Sequence, residues 1–463
     1  MSIITALFDK SVHSYADAFK ATDKTSDAMK EAIKDWFDLY YKKEPTEDED
    51  PCQQIPHTIV RKLTKTVFSE YTASAIKEDE FIADVLTTLD TEKETAVELA
   101  LVGGECLLKP VPLVREKSWY WTVIMRPNIL VFARDPKGRM TDIGTAEHTT
   151  YGNDYYTLLE RRTVDENGYL TIQNRLYKSM SQNGIGTPVS LKTLPQYAEL
   201  PDTYTFQKPI WSVGLVTVKT PFANCVDGSH DGVSVYAAVV GLIHNINRNE
   251  AQLNGEFERG ESKVFVSEDL LKRKKDGRKV IDDHVFVGLN DDPETTGITI
   301  FSPDLRVDEF ETRKQEYLRN VESIIGLKRG LLSEVEAQER TAKEITSSEG
   351  DYNLTIIGFQ KMWAKAVKEA VKLCGILGQL YGITGAHEVQ DDEVSIDWGN
   401  GILYDEDKTW ADYLDMVARG LLKPEIALGK RFGMPTETPE DLAAIREKYM
   451  PNAEKLAEDE GDE

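Results

Sequence analysis

An α+β subunit, helical over most of its length with one run of antiparallel strands, is the fold class that the sequence predicts. Three observations lead there. Apolar residues recur at helical spacing in several separated stretches. After about Glu105 the period changes to short β-branched and aromatic runs split by turn signals. A polar stretch rich in Asp, Gly and Pro is enclosed between two long amphipathic segments.

In chain order, Phe19, Met29, Ile33, Trp36, Phe37 and Tyr40 predict helices before the charged, proline-containing run Glu44 to Pro51. Pro56 suits a first helical turn ahead of Ile59, Val60, Leu63, Val67 and Phe68, and further helices are expected over Glu80–Leu89 and Lys93–Leu101. Gly103-Gly104 reads as a helix C-cap leading into a strand. The turns Asp135-Pro136-Lys137-Gly138 and Asp165-Glu166-Asn167-Gly168 separate strands expected near Asn128–Ala133, Thr141–Glu147, Tyr155–Thr163 and Tyr169–Tyr177, a β-meander. Ser181–Lys208 reads as an irregular loop.

The stripe Val235, Val239, Leu242, Ile246, Leu253 and Phe257 predicts a helix from Gly232 to Glu258, about 40 Å long at 1.5 Å per residue. Phe310, Lys314, Tyr317, Val321 and Ile324 predict a second over Val307–Ile325, about 28 Å long. Short strands are expected between them at Lys263–Val266, Val280–Val287 and Gly297–Phe301, which makes a small α/β knob on two stalk helices. A third long helix, Thr341–Tyr381, carries Gly350 and Gly358, which permit a kink. A strand at Glu393–Trp398 and helices at Asp407–Arg419, Lys423–Phe432 and Pro439–Lys448 follow, then an acidic tail expected to be disordered.

Composition narrows the function. Of 463 residues, 40% are hydrophobic and 29% charged, the balance of a folded chain, and the length suggests two to four domains or one elongated subunit. The N-terminal stretch lacks a signal-peptide pattern, and no run of about 18 apolar residues occurs, so secretion and membrane spanning are not expected. Cys52, Cys106, Cys225 and Cys374 lie far apart without metal-ligand spacing and read as reduced thiols. A net charge of −25 argues against a protein that grips nucleic acid through phosphates, yet suits a surface that DNA slides past.

Signals for catalysis are missing. The seven histidines are too scattered for a helical metal pair. There is no Gly-x-Ser-x-Gly elbow, phosphate-binding loop or dinucleotide fingerprint. Acidic pairs such as Asp282-Asp283, Asp291-Asp292 and Asp391-Asp392 lack the spacing of a calcium loop and read as solvated turns. No catalytic residue, metal or cofactor is therefore assigned. One basic run stands out: Lys272, Arg273, Lys274, Lys275, Arg278 and Lys279, split by Asp276-Gly277. It is either a solvated hairpin or a docking patch for a partner or DNA.

The order of parts, with stretches such as Trp36–Tyr41 (WFDLYY), Ile55–Val60 (IPHTIV), Ala100–Leu107 (ALVGGECL), Gly232–Glu258, Glu339–Glu349 (ERTAKEITSSE) and Val394–Gly399 (VSIDWG), resembles the portal proteins of tailed bacteriophages, in particular those of siphophages of Gram-positive bacteria similar to the Listeria phage A118 portal. The resemblance spans roughly residues 30 to 435. It implies a portal fold with wing (1–231, and 341–404 returning), stem helices (232–258 and 307–325), clip (259–306), tunnel loop (326–340), crown (405–450) and acidic tail (451–463).

The same resemblance implies roles and partners. Lys328, Arg329 and Arg340 would face DNA in the tunnel loop, although Lys328 and Arg329 read equally as a cationic pair at a helix C-terminus. The Lys272–Lys279 run would dock partners at the clip. Val239, Leu242, Ile246, Leu253, Tyr317 and Val321 would join stems between subunits. Implied partners are further copies of the chain in a ring of about twelve, double-stranded DNA passing non-specifically, the terminase large subunit, major capsid and scaffolding proteins, and a head–tail adaptor, without a membrane. The protein would be non-enzymatic, assembled in the host cytoplasm and resident in the virion. A different head–tail adaptor or minor capsid protein, and an enzyme with a carboxylate site, are the competing readings.

Overall fold

The computed structural model describes residues 14–41, 51–181, 184–260, 263–266, 272–273, 279–280, 298–301, 304–334, 342–399, 406–432, 434, 436 and 438–450. The chain divides into two compact units, the first comprising 1–68 with 73–396 and the second 69–72 with 397–463.

The first unit opens with α1 (Ser14–Phe19), α2 (Asp27–Tyr41) and α3 (Ile55–Val67). Strand β1 (Thr72–Ala75) precedes α4 (Glu80–Asp90) and α5 (Lys93–Gly103). Asp79 caps α4 by accepting from Ile82 N at 3.0 Å, satisfying one of the four orphan amides of its first turn. Gly104 ends α5 at φ 82°, the C-cap expected from sequence, and only glycine fits: a Cβ there would lie 2.2 Å from the Gly232 backbone. The apolar faces of these helices converge, burying Met29, Ile33, Trp36, Phe37, Ile59, Leu63, Val97 and Leu101.

The strand region holds two sheets. β2 (Glu105–Leu113) pairs antiparallel with β3 (Ser118–Met125). The meander is β4 (Ile129–Arg134), β5 (Met140–Tyr151), β6 (Asp154–Val164) and β7 (Leu170–Ser179), all antiparallel neighbours. Its two predicted turns form as read: Gly138 N donates to Asp135 O at 2.9 Å and Gly168 N to Asp165 O at 3.0 Å. The stretch read as irregular contributes β8 (Thr187–Val189) and β9 (Thr203–Thr205), which both lie along β7, while β10 (Val216–Lys219) pairs with β2. β8 and β9 are three residues each without an apolar run, too short for an alternation to be read.

Next come α6 (Val240–Arg259), the strands β11 (Lys263–Val266), β12 (Lys272–Arg273), β13 (Lys279–Val280) and β14 (Ile298–Phe301), and α7 (Val307–Ile325). The 40-residue α8 (Ala342–Tyr381) is continuous through Gly350 and Gly358 and buries Ile356, Phe359, Trp363, Val367, Val371 and Cys374. Its Trp363 meets Phe68, just past the end of α3, edge to face at 5.7 Å. Strand β15 (Val394–Asp397) pairs with β1. Burial pushes the Cys106 and Cys374 thiols up, which keeps them protonated and inert.

The second unit is built on α9 (Glu406–Ala418), α10 (Pro424–Arg431) and α11 (Pro439–Tyr449). A capping box between Thr438 and Asp441 starts α11, and Arg446 on α11 pairs with Glu425 on α10 around the buried Ala427 and Ile445. The acidic tail falls outside the described residues.

Charge is buried where the two sheets meet. Glu160 on β6 lies 2.9 Å from Lys109 on β2 and 2.6 Å from Arg162, which also donates to the Val213 and Gly214 carbonyls. Burial alone would raise the Glu160 carboxyl, but the two cations outweigh it and pull the pKa from 4.5 down to about 2. A carboxylate depressed in the folded state stabilises fully above its unfolded pKa, and this contribution disappears as pH falls through the folded value. Denaturation at stepped pH should therefore show a loss on the order of 3 kcal/mol between about pH 4.5 and 2. Glu160→Gln should flatten that limb, and an unchanged limb would contradict the assignment.

Candidate functional site: the helix pair and its carboxylate turn

The helix expected from Gly232 starts instead at Val240, after a single 3-10 turn over Ala237–Val239, so it spans 20 residues and about 30 Å. The eight residues before Val240 are spent on anchorage. Val235 N donates to Leu101 O at 2.9 Å, Thr220 Oγ1 to Val233 O at 2.7 Å, and Tyr236 Oη to Trp36 O at 2.8 Å. Just upstream, buried Asp231 and Glu105 share Arg126 and Arg134, with Arg126 Nε 3.1 Å from Glu105 and Arg134 Nη2 2.5 Å from Asp231. Val235 is therefore part of the anchor rather than of the helical stripe.

Helices α6 and α7 pack antiparallel, as three cross-links fix. Asn249 Nδ2 donates to Phe310 O at 3.0 Å, Lys314 Nζ to Glu250 at 3.1 Å, and Arg306 grips Glu256 with two bonds of 3.0 Å each. The ion pairs keep partial exposure, so solvent screening leaves them a minor share of the stability. Burial dominates: Val239, Ile243, Ile246, Leu318, Val321 and Ile325 are all covered, a gross gain on the order of 10 kcal/mol. The charges set register, and the aliphatic stripe supplies the stability.

This burial divides the stem residues named from sequence. Val239, Ile246 and Val321 are covered within the single chain, whereas Leu242, Leu253 and Tyr317 are half-buried. Ile243, Leu318 and Ile325 complete the stripe and were not picked out, because adjacent apolar residues such as Leu242-Ile243 leave the helical phase ambiguous by one position. Phe257 and Ile324 stay 46% and 54% exposed, an apolar surface that the pair itself leaves uncovered.

Between α6 and α7, β11 pairs with β14, with Lys263 opposite Phe301, and β12 with β13, with Arg273 opposite Lys279. Lys272, Arg273 and Lys279 thus sit on one short ladder that sets like charges opposite one another. Lys274, Lys275 and Arg278 lie outside the described residues, as do Arg340 and the strand expected at 281–287 beyond β13.

The turn after α7 is organised by a carboxylate. Gly326 caps the helix at φ 78°, and Glu322, one turn earlier and fully buried, accepts from Gly330 N at 3.3 Å, Leu332 N, Ser333 N at 2.9 Å and Ser333 Oγ at 2.7 Å. A buried carboxylate with four donors is satisfied, and removing it strands them. Lys328 and Arg329 are exposed on this turn. No sequence motif marks Glu322; only the donors that fold back onto it define its role.

A profile of the family described as "Phage portal protein, SPP1 Gp6-like" matches residues 137–451. The chain belongs to this family of portal proteins, the head–tail connectors of tailed phages. No curated protein sequence matches the chain. Among solved structures it is similar to a chain in the neck of a native gene transfer agent (GTA) particle computed with C12 symmetry, at 13% identity and TM-score 0.45 over 86% of this chain and 94% of that one. It is also similar to a chain of the native GTA virion, at 13% identity and TM-score 0.45 over 92% and 99%. A third likeness, to the neck of an empty GTA particle computed with C6 symmetry, has 14% identity and TM-score 0.44 over 81% and 89%.

Replacing Glu322 by Ala should cost about 2–4 kcal/mol in chemical denaturation, because four donors lose a charged acceptor. A cost below about 0.5 kcal/mol, the range of ordinary surface substitutions, would contradict the role given to this carboxylate.

Proposed function

We propose that the chain is one subunit of a ring of about twelve copies at a single capsid vertex, the channel through which double-stranded DNA is packaged and ejected. The observation that carries this reading is the family match over 137–451, which takes in the whole helix–excursion–helix unit. In this reading α6 and α7 form the stem, residues 259–306 the clip, 326–340 the tunnel loop, 405–450 the crown, and the remaining helices and sheets the wing. The reading includes a kinship with portals of siphophages of Gram-positive bacteria similar to the Listeria phage A118 portal. The ring assembles in the host cytoplasm and stays in the virion.

Physical chemistry supports several parts of this reading. A chain with net charge −25, repeated around a hole, repels DNA at close range and so favours sliding over sticking. Lys328 and Arg329, on a turn held by Glu322, offer brief phosphate contacts within that acidic surround. The Arg273–Lys279 ladder gives the clip a positive face for the terminase large subunit and later for a head–tail adaptor. The wing would meet major capsid and scaffolding proteins. The protein is a conduit and not an enzyme; the terminase supplies the work.

Ring contacts fall to the stem surface left uncovered by its own chain: Leu242, Leu253, Tyr317, Phe257 and Ile324. Native mass spectrometry separates this from folding. Leu242→Asp should abolish rings while leaving a folded monomer. Ile246→Asp should unfold the helix pair, because it buries an unpaired charge at a cost of several kcal/mol. Intact rings in the Leu242→Asp protein would refute the stem contact. Reversing the charge of Lys272 to Lys275 should leave rings intact but weaken terminase binding, and undiminished binding would sink the clip assignment.

A further inference from the structure

Helix α3 and the residues leading into it touch three other parts of the chain. Before it, Gln53 N donates to Asn247 Oδ1 on α6 at 3.3 Å, and Asn247 is only 4% exposed. Near its middle, Lys62 Nζ donates to the carbonyl of Leu331, in the turn that Glu322 holds. At its last turn, Thr66 Oγ1 accepts from Tyr352 Oη on α8 at 3.0 Å. Fully buried Ile59, Val60, Leu63 and Val67 seat the helix as a rigid body.

The entry to α3 is strained. Cys52 and Gln54 adopt left-handed conformations at φ 47° and 53°, two non-glycine residues within three positions. Between them the Gln53 side-chain amide nitrogen is buried without a hydrogen-bond partner. Such a segment persists only where its surroundings over-determine it, and the Gln53–Asn247 bond ties it to α6.

We propose that α3 is a strut that sets the Lys328–Arg329 turn in register with helix α6, with Asn247 and Lys62 as positioning residues, the one contacting the segment that leads into α3 and the other lying on its middle turn. A shift of α6 is then transmitted through a seated helix to the turn, without any direct contact between Asn247 and that turn. The meaning of this coupling for DNA passage rests on the ring reading above; the coupling itself is a property of one chain and is tested on it.

Hydrogen exchange on the full-length protein measures it. Lys62→Met should speed exchange of the Gly330, Leu332 and Ser333 amides by about tenfold, and Lys62→Arg should preserve protection. Asn247→Leu, remote from the turn, should speed the same amides, Asn247→Asp should not, and Lys62→Met with Asn247→Leu should fall short of the product of the single effects. Amides of β5 and β6 report global stability. The proposal is overturned if Asn247→Leu leaves the turn unchanged, if the two effects multiply independently, or if β5 and β6 accelerate equally.

Discussion

The antiparallel closure of α6 on α7 is the constraint on which the rest of the structure depends. A chain that leaves one body, makes an excursion of 47 residues, 260–306, and returns must bring its two legs back in a fixed register. Burial of Val239, Ile243, Ile246, Leu318, Val321 and Ile325 supplies the free energy, and the Arg306–Glu256 and Lys314–Glu250 pairs choose the register. This stripe is satisfied inside one chain, so the helix pair needs no neighbour to bury it. Phe257 and Ile324 stay outside it, exposed on the surface of the pair.

Both legs are rooted in buried charge. At the base of α6, Glu105, Arg126, Arg134 and Asp231 form a nearly enclosed network, and at the end of α7, Glu322 gathers four donors. Burying ions is costly, and apolar replacements often stabilise as well or better. Their value here is direction: a carboxylate with four aimed donors tolerates one loop geometry, whereas an aliphatic contact tolerates several. The turn carrying Lys328 and Arg329 owes its shape to this choice.

Much of the fold was legible in the sequence, for identifiable reasons. Helix α7 lies where its stripe placed it, Val307 to Ile325, and β11 spans the Lys263–Val266 predicted, because both are long or strongly patterned and flanked by clear breaks. The start of α6 was misplaced by eight residues. Val235 falls in phase with the stripe, yet Gly104 and Gly232 approach so closely that residues 232–236 are packed into the core around α5 and β2. Such a contact between distant glycines leaves no periodic trace. Lys62 and Asn247 likewise take their roles from partners far along the chain, and Glu322 from donors that fold back onto it from the next turn, yet each looks like an ordinary polar residue on a helix.

The most direct test is a cryo-electron-microscopy reconstruction of the assembled protein. This account predicts an annulus of about twelve copies in which the α6–α7 pairs stand side by side around a central hole, with the Lys328–Arg329 turns on its inner wall. Density that places those turns on the outer circumference, or particles that lack a hole altogether, would contradict it.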